Sequence, residues 1–509
     1  MMRHLVISML LLLTSMQVWA RTDSLSTDVN RSTTERLSER ATLLARHYGQ
    51  IASNRYFQYE TSLSTVTAGW KSRYEKNAAA VWQGDRASTG LFSADSYLRF
   101  GGKSVAFISA EYENGILDNV DWNSTADYEL LYPYVLIGSA KDKVHHELYS
   151  FSGGCAGLFG KWVYGVSGGY RALHEYRRID PRPRSKVNDL KIEASLSRMI
   201  GRQYAFGAAA DIRIYKQMMD VSYLNEAGAF TPQYHYIGLG QTFGRFDGTT
   251  YTDTRHKGFG YGFRLSLVPT GSDGFLATFA YSRLKMNRQL HEINEAPITV
   301  LWTDRCEAGL TYNAKSDAWN YTLSLGGKYE KRQGGEAVVD NGLMGEFKIL
   351  DRHTMYDRHR YCATLNAVAE WHHDRHCVTV ASGAQVEAEK EKYRDPAGVI
   401  SHTSLSAEVR VGYRRLSGPW LFSATVSGDY RTCPANLFSI PSSVMPELSD
   451  HLSYTQSRTI DDCFVLQPRL SVQRRLQQAG AIFVSLLYRQ QFHSYGVSLA
   501  AEISLGYRF

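Results

Sequence analysis

Tyr495-Gly-Val-Ser-Leu-Ala-Ala-Glu-Ile-Ser-Leu-Gly-Tyr-Arg-Phe509 ends the chain. Its odd positions, Tyr495, Val497, Leu499, Ala501, Ile503, Leu505, Tyr507 and Phe509, are all apolar or aromatic. Its even positions, Gly496, Ser498, Ala500, Glu502, Ser504, Gly506 and Arg508, are small or polar. Side chains of a strand point alternately to its two faces, so this is one strand with a wholly apolar face. A strand crossing a bilayer needs about 9–11 residues, whereas ordinary strands run about 5–6. Such long alternation suits a wall with hydrocarbon on one side and water on the other, and a soluble sandwich strand seldom runs so far.

The same texture recurs upstream. Trp420, Phe422, Ala424, Val426 and Tyr430 alternate with polar or small residues, as do Leu405, Ala407, Val409, Val411 and Tyr413. Tyr361 to Trp371, Trp319 to Tyr329, Phe259 to Leu267 and Tyr204 to Ile214 follow the same pattern. Aromatic residues gather at the ends of these stripes, where a ring at a membrane interface keeps one edge wet. Eight short polar turns join strands in pairs, near 101–103, 160–161, 198–202, 269–274, 313–317, 372–375, 414–419 and 475–480. Longer irregular segments lie between the pairs, at about 113–145, 175–186, 217–255, 332–357 and 432–460. This alternation matches short periplasmic turns and long extracellular loops. With a first strand near Ser62 to Tyr74 and the final strand, the reading is an all-β, transmembrane antiparallel β-barrel of about 18 strands (range 14–20) over 61–509.

Composition agrees. The 509 residues include 33 Tyr, 21 Phe and 9 Trp but only 12 Pro, a balance that long strands tolerate. The longest apolar run, Leu5 to Leu13, is too short for a spanning helix of about 20 residues. With Arg3 before that run and Val18 and Ala20 after it, residues 1–20 read as a secretory signal peptide. The net charge of +7 is spread along the chain without a basic helix or finger, which argues against nucleic acid. Residues 21–60 are polar, with a capping box at Ser32-Thr33-Thr34-Glu35 followed by Leu37, Leu44, Tyr48 and Ile51. They are expected to form a periplasmic or lumen-resting segment with a short helix, and forty residues are too few for a plug domain.

Candidate chemistry is sparse. Gly165-Val-Ser-Gly-Gly169 matches a nucleophile-elbow pattern but lies within an expected strand rather than a strand-to-helix turn. His372, His373, Asp374, His376 and Cys377 carry metal-ligand groups, but a turn sends neighbouring side chains in different directions. No catalytic, cofactor-binding or metal-binding residue is assigned, and no enzyme is expected. Export permits disulfides, and Cys433 and Cys463 flank a long loop, making them a candidate pair; free thiols are the alternative. Arg177, Arg178, Arg182, Arg184 and Lys186 form a basic stretch in an external loop, suited to the phosphates of lipopolysaccharide.

Asp127-Tyr-Glu-Leu-Leu-Tyr-Pro-Tyr-Val135, Tyr176-Arg-Arg-Ile-Asp-Pro-Arg-Pro-Arg184, Tyr223-Leu-Asn-Glu226 and Lys257-Gly-Phe-Gly-Tyr-Gly-Phe263 are distinctive stretches. Through them the chain resembles an uncharacterised family of Bacteroidota-type outer-membrane β-barrel proteins. That resemblance implies a barrel in the cell outer membrane of a Gram-negative bacterium, in contact with lipid and lipopolysaccharide, and no known chemistry. The ending Leu505-Gly-Tyr507-Arg-Phe509 also looks like the insertion signal of such barrels, which implies the barrel-assembly machinery as a partner. The expected function is a channel or transport-related barrel for a small solute. The alternative is a non-conducting barrel that assembles a surface lipoprotein, polysaccharide or secretion component, and a rim enzyme is the third reading. Deleting Phe509 should lower the yield of folded, heat-modifiable barrel in outer membranes. Unchanged yield on unheated gels would remove the role assigned to that terminus.

Overall fold

A computed structural model describes residues 29–224, 231–271, 273–340, 348–476 and 480–509. The expected signal peptide lies outside the described residues. Eighteen antiparallel strands form one sheet that closes on itself. They are β1 (Leu63–Glu75), β2 (Arg86–Phe100), β3 (Ser104–Val120), β5 (Asp142–Phe159), β6 (Trp162–Tyr176) and β7 (Arg182–Ile200). There follow β8 (Tyr204–Ser222), β11 (Thr254–Pro269), β12 (Gly274–Leu290), β13 (Ala296–Lys315), β14 (Trp319–Val339) and β15 (Ile349–His373). The last six are β16 (His376–Tyr393), β17 (Gly398–Ser417), β18 (Trp420–Ser439), β19 (Cys463–Leu476), β20 (Gly480–His493) and β21 (Gly496–Arg508). A second, three-stranded sheet joins the loop strands β4 (Val135–Ile137), β9 (Tyr234–Gly238) and β10 (Gln241–Thr242).

The terminal strand does what its alternation predicts. β21 pairs with β1 from Thr65 opposite Arg508 to Glu75 opposite Ser498, and Ser64 and Phe509 exchange backbone hydrogen bonds of 2.9 and 3.0 Å. That seam removes both free edges, the condition for a sheet in hydrocarbon. The apolar stripes face outward: Leu323, Leu325, Val409, Val411, Ile503 and Leu505 are all exposed. Trp162, Trp319 and Trp420 sit at the periplasmic starts of their strands, and Tyr170, Tyr361 and Tyr430 stand several residues higher, all exposed. These are the two aromatic girdles of a membrane band. The chain is an outer-membrane β-barrel.

Above that band the strands run further than their patterning suggests. β15 has 25 residues, and the external connections between barrel strands shrink to 121–141, 177–181, 223–253, 340–348 and 440–462. Beyond the lipid both faces of a strand meet polar or mixed surroundings, so alternation fades while backbone pairing continues. Four external connections, 177–181, 291–295, 394–397 and 494–495, are short, so loop length alone does not identify the outside.

Leu323 is 52% exposed, a site at which a water-soluble protein would accept arginine almost freely. In a bilayer, Leu323→Arg should cost about 2–4 kcal/mol. Urea unfolding in lipid vesicles checks this, and a change near zero would contradict a lipid-facing girdle.

Candidate functional site

The lumen is closed from both ends. At the periplasmic end lie α1 (Val29–Arg36), α2 (Glu39–Tyr48) and a 3-10 turn at Ala52–Phe57, inside the barrel. Their contacts run round the wall. Gln473 donates to Asn30 at 2.7 Å, and Asn30 donates to the Pro419 carbonyl at 3.0 Å. His47 meets the Thr311 hydroxyl at 2.7 Å, and the Tyr48 hydroxyl donates to the Pro269 carbonyl. Asn54 bonds Ser266 and Ser197. Tyr97 donates to the Arg55 carbonyl at 2.7 Å. Gly165 belongs to this contact rather than to a nucleophile elbow: it lies in mid-strand, and a Cβ there would come within 2.3 Å of the Ser53 nitrogen. A segment this short closes the lower end because it needs to fill only part of the length; external loops fill the rest.

At the upper end, the segment 121–141 drops into the mouth. It carries α3 (Tyr128–Leu131) and packs with β9, β10 and α4 (Pro446–Thr459) around Trp122, Leu131, Tyr134, Ile137, Leu239 and Leu448. The stretch Asp127 to Val135, distinctive in sequence but without evident chemistry, is the centre of this lid. Tyr132 donates to Glu391 at 2.7 Å, and Tyr134 donates to Glu336 at 3.3 Å. Burial, and then those carboxylates, hold both phenols well above their ordinary pKa. Arg332, itself held by Glu330, donates to the Glu129 and Tyr132 carbonyls at 2.8 and 3.0 Å. Gly334 lets Tyr134 approach, since a Cβ there would sit 2.1 Å from the phenol oxygen. His235 on β9 accepts from Arg288 of the wall at 2.6 Å through Nδ1, and its Nε2 meets the Tyr251 carbonyl.

Between the closures a cavity of about 360 Å³ is lined by the inward-facing Arg171, Lys191, Arg213, Arg264 and Arg305, against Asp189 and Asp211. Ion pairs along its wall form two groups, one reaching the lid and one reaching the N-terminal segment. Asp127 of the lid accepts from Arg171 at 2.9 Å and from Tyr215 at 2.9 Å. Arg171 and Arg213 share Asp189, with Arg213 bidentate at 2.8 and 2.7 Å. Lys191 and Arg264 share Asp211 at 3.6 and 2.6 Å. Arg264 also pairs with Glu193, whose other oxygen accepts from the Ala52 backbone N–H at 2.7 Å. Alternation predicts that Arg171 and Asp189 face inward; it carries no signal that a loop carboxylate from far along the chain completes the array.

The residues singled out from sequence separate into different roles. Arg177 is 3% exposed and donates to the Ala140 and Asn123 carbonyls, pinning the lid, so it does not join a surface cluster. Arg178, Arg182, Arg184 and Lys186 stay on the outside, with Arg182 on Asp180 and Arg184 on His174. Cys433 and Cys463 are free thiols rather than the expected bridge. Register sets Cys463 opposite Arg431, so the two cysteines are diagonal neighbours. Diagonal side chains stand about 7–8 Å apart, beyond the roughly 4 Å Cβ separation of a disulfide. Leu505 and Tyr507 line the outer face of the closing strand beside Phe509. His372 and Cys377 are cross-strand partners facing inward, whereas His373 stacks on Trp371, so the turn divides its ligand-type groups. Among the described residues no three His, Cys, Asp or Glu gather to hold a metal ion.

Solved structures similar in overall form include the siderophore receptor PiuA from Acinetobacter baumannii, at 7% identity over 89% of this chain and 82% of that chain, TM-score 0.40. The ferric preacinetobactin receptor BauA from Acinetobacter baumannii gives 8%, 89%, 80% and 0.40, and the copper transporter OprC gives 8%, 89%, 82% and 0.37. No curated protein matches the sequence. The model of a family described as "Family of unknown function (DUF6850)" matches residues 52–509, and the chain belongs to that family.

Proposed function

We propose that this protein is a gated outer-membrane transport barrel for a small anionic solute. The observation that carries the reading is the cavity between the closures, where the lid's own carboxylate, Asp127, sits on Arg171 of the wall. A guanidinium partly shielded from bulk water attracts an anion more strongly than one in bulk water. Asp127 gives such a solute a route in. A carboxylate or phosphate arriving at Arg171 replaces the lid's own carboxylate, so one anion is exchanged for another and no bare guanidinium is left. A rival reading, a non-conducting barrel that binds a surface partner, draws on a second cavity of about 380 Å³ at the outer mouth, where Trp82 stacks on Tyr128.

Planar-bilayer recording separates the two. The whole protein should conduct poorly, and a variant lacking both residues 21–57 and the lid segment 121–141 should conduct with preference for anions. A folded, heat-modifiable truncated barrel that passes no ions would favour the surface-partner reading.

The lid should also respond to acid. Burial, and then Arg288, hold His235 well below its ordinary pKa of 6.5, and burial pushes His451 down to about 4. A histidine kept neutral in the closed lid binds fewer protons than in a free loop. The histidine contribution to lid stability is therefore complete above about pH 6.5 and falls as pH drops below it. Protection of residues 121–141 against hydrogen exchange, corrected for the intrinsic exchange rate, should fall more between pH 7 and 5 in the wild type than in His235→Gln. Equal changes in the two proteins would show that His235 does not hold the lid.

A further inference from the structure

The outer wall carries a charge asymmetry that neither the lumen nor the lid explains. Just above the lipid-facing stripe, consecutive outward positions on β7, β8 and β12 hold Lys186, Lys216 and Lys285. β11 places Lys257 directly opposite Lys216, and both are exposed. Like charges directly opposite one another weaken a sheet unless a counter-charge sits between them. Lys257 has Glu295 at 2.9 Å, while no ion pair joins Lys186, Lys216 or Lys285 to a carboxylate among the described residues. Lys285 instead lies 4.8 Å above the Trp302 ring, on the outside of the wall. On the far side of the barrel the register-aligned outward positions of β18, β19 and β20 carry Tyr430, Phe464 and Phe492, without a cation.

Height selects the occupant. Leu190, Ile214, Phe259 and Tyr281 occupy the outward positions two to four residues below these lysines and belong to the stripe that touches acyl chains. A lipid whose chains cover that stripe must hold its headgroup at the level of Lys186, Lys216 and Lys285. From this geometry we infer that the sector β7–β12 is a docking surface for a phosphorylated glycolipid of the outer leaflet. Its acyl chains lie against the apolar stripe, and its phosphates lie between the lysines. The basic external stretch read from sequence contributes Arg184 and Lys186 to this surface, and Arg177 is lost from it to the lid.

The test uses the full chain, extracted from outer membranes in mild detergent, with glycolipid per protein measured by mass spectrometry of its hydroxy fatty acids. The combined variant Lys186→Gln, Lys216→Gln, Lys285→Gln should lose bound glycolipid by more than about tenfold, since each surface cation near anionic lipid contributes roughly a fivefold factor. Lys→Arg at the same three positions should retain it. Lys390→Gln with Lys392→Gln, further round the same outer wall, should leave the ratio unchanged. All variants should migrate as folded, heat-modifiable barrels, because the altered side chains face water. Delipidated protein should then bind lipid A micelles and not be stripped of them by millimolar inorganic phosphate. Equal glycolipid in the glutamine variant and the wild type would overturn the inference. So would release of lipid A by phosphate alone, which would mark a free-anion site.

Discussion

Hydrocarbon accepts no unpaired backbone polar group, and this requirement organises the molecule. It is met at one seam, where β1 and β21 join first strand to last and Ser64 and Phe509 trade hydrogen bonds. Once the sheet is closed, two-residue periodicity decides every side chain's surroundings: odd positions of β21 meet lipid and even positions meet the lumen. The closed sheet then provides a rigid cylinder within which polar groups are free to face each other. That explains how Glu391, Glu336, Arg332 and Arg288 lie buried in a membrane protein. They are shielded from lipid by the wall and paired with the lid.

The two closures are chemically unlike. The N-terminal segment is held by hydroxyls, amides and small apolar groups around Tyr48 and Ala52, together with Glu193 on the Ala52 N–H and Arg264 and Arg414 on its carbonyls. The lid is held by buried phenols on carboxylates and by arginines on its carbonyls. Neutral hydrogen bonds contribute about 0.5–1.5 kcal/mol each, and bonds to charged groups about 1.5–3. The wall ion pairs form two groups, one at the lid where Arg171 and Arg213 share Asp189, and one at the N-terminal segment where Lys191 and Arg264 share Asp211.

Much of this fold is legible in the sequence, for a definite reason. Period-2 alternation records which face meets lipid, so the stripes at Trp319 to Tyr329 and Trp420 to Tyr430 locate strands, and Gly160-Lys161 or Gly101 to Lys103 locate turns. The upper halves of the strands are less legible. At Arg352 to Asp357 or Gln333 to Ala337, both faces are polar or mixed, and the pairing that persists there is a backbone property without a side-chain signature. The site is the least legible part. Asp127 and Arg171 are 44 residues apart, and nothing in either neighbourhood says they meet. The stretch around Asp127 stands out as dense in tyrosine, which in hindsight is the mark of a loop with phenols to seat on wall carboxylates. Cys433 and Cys463 leave two readings open in the sequence, a bridge or free thiols, and a two-residue offset in register, which no sequence pattern carries, keeps them apart.

In the transport reading proposed above, the lid opens only for a solute that prefers the open state, and the arginine chemistry of its opening belongs to that reading. A ligand shifts a two-state equilibrium by its difference in affinity for the two states and by no more. Arg171 makes that difference available because its partner Asp127 moves with the lid while Asp189 stays on the wall. In the closed state the guanidinium is satisfied from both sides. In the open state one side is vacant, and an anionic solute fills it with charge-assisted bonds of the same kind. The cost of lifting the lid is then chiefly that of the phenol and backbone contacts, not of an isolated buried charge, which would amount to several kcal/mol. A neutral solute has no such compensation. In the transport reading, selectivity for anions and gating by anions thus arise from the same arginine.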